Sequence, residues 1–128
     1  MTIVNDAAIV AELTELYMKY EDALCNNNLE VMDELFWQAP EVVRFGLTEN
    51  LYGSDEIRAF RASRPTHNIK REIYNLKVVT FDSNFASVTL EFRRVMDGVE
   101  RQGRQSQMWY KFDFGWKVVS AHVSLLPI

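Results

Sequence analysis

The sequence predicts an α+β fold, with two or three helices packed on one face of a curved, mostly antiparallel sheet. Three observations lead there. In the first half of the chain apolar residues recur at three- and four-residue steps, the spacing of helix faces. From Lys70 onward the pattern changes to long runs of alternating and aromatic-rich residues, the spacing of strands. The last two runs meet at Asp113-Phe114-Gly115, so Gly103 to Pro127 reads as one long antiparallel hairpin.

Taken in order, Asn5 or Asp6 can cap a first helix whose stripe is Ile9, Val10, Leu13, Leu16, Tyr17, Tyr20 and Leu24. Asn26-Asn27-Asn28 ends it, because asparagine side chains compete for backbone hydrogen bonds, and one of the three then caps a second helix. Leu29, Met32, Leu35 and Phe36 give that helix its apolar face until Pro40 forces Ala39 out of helical geometry. Val42 to Phe45 is a short β-branched and aromatic run, closed by Gly46, that would extend the sheet edge. Ser54 can cap a short third helix from Asp55 to about Ala62, with Ile57 and Phe60 inward and Pro65 as its stop. Four strands follow: Lys70 to Phe81, Ala86 to Met96, Gly103 to Phe114 and Trp116 to Leu126. Turn residues separate them at Asp82-Ser83-Asn84, Asp97-Gly98 and Gly115.

The 128 residues suit a single domain spanning 1–128, which buries about two-thirds of the surface of its unfolded chain. A net charge of -4 argues against a nucleic-acid or anionic-membrane surface and leaves small anions open as ligands. Cys25 is the sole cysteine, which excludes an intramolecular disulfide and suits a reducing cytoplasm. The N-terminus MTIVNDAA has no signal-peptide pattern, and no apolar run approaches the roughly 20 residues that span a bilayer. No metal or cofactor is expected: there is no G-x-S-x-G, no H-E-x-x-H and no phosphate-binding glycine loop, and His67 and His122 lie far apart.

Several side chains are candidates for chemistry. Tyr20 lies on the apolar stripe of the first helix, so its hydroxyl enters the space between helix and sheet, either as a core tyrosine with one hydrogen-bond partner or as a reacting group. Glu21 points roughly 100° away and reads as structural or solvated. Arg44 sits inside a strand and cannot shed its charge. It needs a salt bridge, to Glu21, Glu49 or Glu91, or an anionic ligand. Arg61, Arg64 and Arg104 are either surface charges or anchors for an anion. In the closing hairpin Gln105, Gln107 and Trp109 share one face, and Arg104, Ser106 and Met108 the other. On the last strand, helices are expected on Val119, Ala121, Val123 and Leu125. A second subunit is expected on the set that contains Trp116, Val118 and His122, with His122 an interface or core residue rather than a catalytic one.

Element order and length resemble the cone-shaped half-barrel of the nuclear-transport-factor-2-like superfamily. More specifically, YEDALCNNNLEVMDELFW, VVRFGLTENLYGSDEIRAFRASR and GRQSQMWYKFDFGWKVVSAHVSL resemble the AtzH-like family, related to oxalurate-catabolism proteins. The resemblance implies a homodimer with one pocket per subunit. It also implies an enzyme of cyanuric acid breakdown that removes an amide nitrogen from 1,3-dicarboxyurea, a small dianion, with loss of carbon dioxide. Its YED and VRFG motifs would supply a catalytic tyrosine and arginine, here Tyr20 and Arg44. Arg44 would bind a substrate carboxylate or polarise a carbonyl and favour the ionised phenol, and Tyr20 would act as general acid or base. Arg61, Arg64, Arg104 and Gln107 would bind the rest of the dianion. Two rival functions remain at this level. One is an isomerase, cyclase or dehydratase acting on an apolar ligand, with a pocket carboxylate such as Glu91 as base and little use for Arg44. The other is a catalytically silent binding or oligomerisation module beside an amidase.

Overall fold

The computed structural model describes residues 1–64 and 69–128, so Pro65 and His67 lie outside the described residues. Helix α1 (Ala7–Cys25) starts at Asp6, whose carboxylate accepts from the Ala8 and Ile9 amides, and α2 (Leu29–Leu35) starts at Asn28, whose side chain accepts from the Val31 amide. Strands β1 (Val43–Phe45) and β2 (Asn50–Tyr52) follow, then α3 (Ser54–Ser63) and the long strands β3 (Glu72–Phe81), β4 (Phe85–Met96), β5 (Val99–Phe112) and β6 (Gly115–Leu125).

These strands form one sheet in the order β2-β1-β6-β5-β4-β3. The β3 to β6 meander is antiparallel throughout, while β1 lies parallel to β6 and pairs Arg44 with Ala121. The strand expected near Val42 is therefore not the edge. The edge is β2, too short and too close to its turn to show a strand pattern of its own. Ser54 does not cap α3. Gly53 does, at φ +86°, a backbone region glycine enters without strain, and no side chain supplies the cap hydrogen bond.

The helices cover one face of the sheet. Leu13, Tyr17, Tyr20 and Leu24 of α1, with Met32, Leu35 and Phe36 at α2, pack against Val88, Leu90, Phe92 and Trp109. A β-bulge opposite Met108 and Trp109 makes Val119 an extra residue in β6, because Met108 pairs with Ser120 and Trp109 with Val118. One inserted residue reverses the alternation. Trp116 and Val118 thus join Ala121 on the inner face, and the expectation that they would face a second subunit is corrected. A second irregularity between Tyr74 and Lys77 bends β3.

Candidate functional site

Helix α1, the β1–β2 turn, α3 and the inner face of β4, β5 and β6 enclose a cavity of about 350 Å³. Tyr20 reaches it because it shares the buried stripe of α1; the residue is 3% exposed and its ring packs between Tyr17 and Phe36, centroids 5.9 and 5.8 Å away.

Arg44 enters from β1. Of the three carboxylates considered as its partner, the structure selects Glu49: Arg44 Nη1 lies 3.2 Å from Glu49 Oε1. The other Glu49 oxygen accepts from the Thr48 amide at 3.1 Å and from Thr48 Oγ1 at 3.0 Å. The carboxylate fits there because residue 46 is glycine, where a Cβ would stand 1.7 Å from Glu49 Oε1. Burial raises the pKa of Glu49, but the Thr48 donors and Arg44 prevail and hold it below the usual carboxylate range.

A second ion pair stands at the α1 side. Arg71 Nε donates to Glu21 Oε2 at 2.8 Å and Arg71 Nη2 to Glu21 Oε1 at 2.6 Å. Tyr17 Oη donates to Glu21 Oε1 at 2.7 Å, and Gln105 Nε2 donates to Tyr17 Oη at 2.9 Å. Glu21 is therefore structural, as one of its two expected readings holds, and it is buried rather than solvated. Burial and the Glu21 charge push the Tyr17 phenol up, so it stays a neutral donor. Burial and the same carboxylate raise the Cys25 thiol to about 11.

Arg64 and Arg94 also line the cavity. Among the described residues neither forms an ion pair with a carboxylate. Arg64 stacks on Phe60 at 5.2 Å, and Arg94 Nε is buried with no hydrogen-bond partner among the described residues. Burial lowers the pKa of both guanidinium groups. Arg44 and Arg61 add to the effect at Arg64, and Arg71 at Arg94. Tyr20 and Glu49 act in the opposite sense on Arg64. Among the described residues, four arginines thus face the cavity against one carboxylate, Glu49. An anion entering it would relieve this imbalance.

The other expected site residues divide. Gln107 lines the cavity at 2% exposure; Trp109 Nε1 donates to its Oε1 at 3.1 Å, which turns its amide N–H groups away from that contact. Arg61 does not line it. Its side chain is 2% exposed, lies over the Phe36 ring at 4.3 Å and stands 3.6 Å from Asp33, so it is neither a surface charge nor a cavity wall. Arg104 is exposed on the opposite sheet face, with Nη2 3.4 Å from Ser124 Oγ. The parity that brings Gln105 and Gln107 inward turns Arg104 out. His122 sits at the rim, edge-on to Phe45 at 5.8 Å. Glu91, the carboxylate considered as an isomerase base, faces outward and accepts from Asn75 Nδ2 at 2.7 Å. Sequence reasoning missed Arg71 and Arg94. Arg94 had a readable signal, since it shares strand parity with the apolar Leu90, Phe92 and Met96.

Comparison with known proteins places this geometry in a family. A solved Pectobacterium atrosepticum protein of unknown function from the DUF3225 family is 43% identical, with 97% of this chain and 95% of that one covered and a TM-score of 0.90. A cystatin-like fold protein from Burkholderia xenovorans is 38% identical over 100% and 99% of the two chains, with a TM-score of 0.91. A nuclear-transport-factor-2-like protein from Salmonella enterica, 21% identical over 95% and 94% with a TM-score of 0.77, shares the fold. Comparison with curated proteins returned no match. The AtzH-like family model matches residues 2–127, and the chain belongs to the AtzH-like family on a nuclear-transport-factor-2-like fold.

Proposed function

We propose that the chain is an amidohydrolase that opens a carbon–nitrogen bond of 1,3-dicarboxyurea, releasing ammonia and carbon dioxide, with Tyr20 and Arg44 as its reacting pair. The observation that supports this reading most is the charge of the cavity. Among the described residues, four arginines line a small volume with one carboxylate, a setting for a compact dianion rather than an apolar ring system.

In this reading the Arg44 fork engages one substrate carboxylate or polarises the carbonyl under attack, while Arg64 and Arg94 hold the opposite end and the Gln107 amide donates to it. Water adds to the carbonyl carbon, the carbon–nitrogen bond breaks, and the departing nitrogen takes a proton from the Tyr20 hydroxyl. The tyrosinate left behind shares its cavity with the cationic Arg44, Arg64 and Arg71. The carbamate released takes up a proton and splits into ammonia and carbon dioxide.

The test is incubation of purified protein with enzymatically generated dicarboxyurea, following ammonia, carbon dioxide and the remaining organic product together. Ammonia and carbon dioxide released in step support the reading. Carbon dioxide with a monocarboxylated urea left behind moves the cut to the outer bond. No turnover, with malonate still raising the melting temperature, favours a binding module. Glu91, one carboxylate considered as the base of an isomerase, faces outward to Asn75 and does not line the cavity.

We also propose that the chain pairs as a homodimer through the outer sheet face, where Met108 is 49% and Tyr110 38% exposed. Light scattering behind size exclusion reads the mass directly. No helix among the described residues is long and apolar enough to cross a membrane.

A further inference from the structure

A hydrolysis in which Tyr20 gives a proton to the leaving nitrogen still requires a group that takes one from water. Among the described residues, Glu49 is the one carboxylate lining the cavity. Glu21 on α1 is held on both oxygens by Arg71, Tyr17 and Cys25 and does not line it. The Glu49 position is built rather than incidental. Thr48 clamps Oε2 through its amide and its hydroxyl, Arg44 reaches Oε1, and Gly46 leaves the space that Oε1 occupies. A carboxylate has about four lone-pair positions. Three are used, which leaves one on Oε1 for a proton from water, beside the arginine that would hold the substrate.

Resting on the amidohydrolase reading above, we propose that Glu49 is the general base of this site and a catalytic residue alongside Tyr20 and Arg44. Glu49 takes a proton from water as the water oxygen bonds to the carbonyl carbon. The tetrahedral adduct collapses, the carbon–nitrogen bond breaks, and nitrogen takes the Tyr20 proton. The protonated Glu49 then returns its proton to the tyrosinate through a water molecule, and the site is reset with one water consumed. When the dianion enters, its carboxylate competes with Glu49 for Arg44, which loosens Oε1 at the moment it must act.

The base role and a mere counter-ion role for Arg44 predict opposite kinetics. Glu49→Gln keeps size and removes basicity. As base, it lowers kcat on dicarboxyurea on the order of 10²- to 10⁴-fold, abolishes the acidic limb of the kcat/KM pH profile, and leaves malonate binding equal or tighter. Glu49→Asp, which keeps the charge but retracts it, falls between the two. Circular dichroism and the melting temperature confirm that each variant is folded, and the pH profile of the native protein reads the base independently of any substitution. A Glu49→Gln variant with native kcat and a lower KM overturns the proposal and makes Glu49 a counter-ion. A native protein that does not turn over dicarboxyurea at all instead overturns the reading on which the proposal rests.

Discussion

Gly103 on β5 lies directly against the Phe92 ring of β4: a Cβ at position 103 would stand 2.2 Å from the ring's Cζ. The two residues are paired across the strands, and Phe92 is a buried side chain over which the Arg71 guanidinium stacks at 4.6 Å. The missing side chain at 103 is therefore what lets the ring lie flat under a cavity arginine.

Gly103→Ala should force the ring off its rotamer and into Arg71, at a cost of about 1–3 kcal/mol of stability, as overpacked cores show. Urea denaturation measures the loss. A chloride-insensitive weakening of malonate binding in the same variant would show that the shift reaches the cavity.

The Arg71–Glu21 pair ties stability to pH. Burial raises the Glu21 carboxyl, but hydrogen bonds and charge from Arg71 and the Tyr17 hydroxyl prevail, so its folded pKa lies below the unfolded value. The sign follows: the pair's full contribution is present above the ordinary carboxylate pKa of about 4.3 and is lost as pH falls through the lower folded value. Glu21→Gln should flatten the acid limb of the stability curve. Glu21→Ala, which strands a buried guanidinium, should cost about 3–5 kcal/mol at neutral pH. Denaturation midpoints from pH 7 to 3 check both.

Tyr20→Phe retains the ring that packs between Tyr17 and Phe36 and removes the hydroxyl alone. It should keep native stability and dianion binding while lowering kcat by on the order of 10² to 10⁴. Arg44→Ala should lose binding as well as rate, because it removes a substrate fork and frees Glu49. If both variants release ammonia from dicarboxyurea at the native rate, the Tyr20 and Arg44 roles are wrong.

Much of the frame was legible because it rests on period alone. The stripe through Leu13, Tyr17, Tyr20 and Leu24, and the four long strands, needed nothing beyond 3.6- and 2-residue repeats. The reversal of Trp116 and Val118 was not legible, since a bulge inserts its extra residue without altering composition. Arg61 was misjudged for a similar reason. Nothing local distinguishes an exposed arginine from one slid over Phe36, and the difference lies in where α2 sits. Arg71 was invisible because its partner, Glu21, is fifty positions away.

Arg94 and Arg104 give the sharpest contrast, since both lie on the central hairpin of β4 and β5 and only their strand parity separates them. Arg94 lines the cavity with an Nε that has no hydrogen-bond partner among the described residues, while Arg104 is exposed on the far face and reaches Ser124. A charge-assisted hydrogen bond is worth about 1.5–3 kcal/mol, so Arg94→Ala should weaken malonate binding and raise the dicarboxyurea KM roughly tenfold to a hundredfold. Arg94→Lys should recover part of this, because it restores charge without the fork. Arg104→Ala should leave both constants at their native values, and any change should appear instead in the mass measured by light scattering, because that residue stands on the face proposed for pairing. Calorimetric titration of the three variants with malonate separates these outcomes. A loss of binding in Arg104→Ala equal to that in Arg94→Ala would mean that the outer face, and with it a second subunit, completes the site.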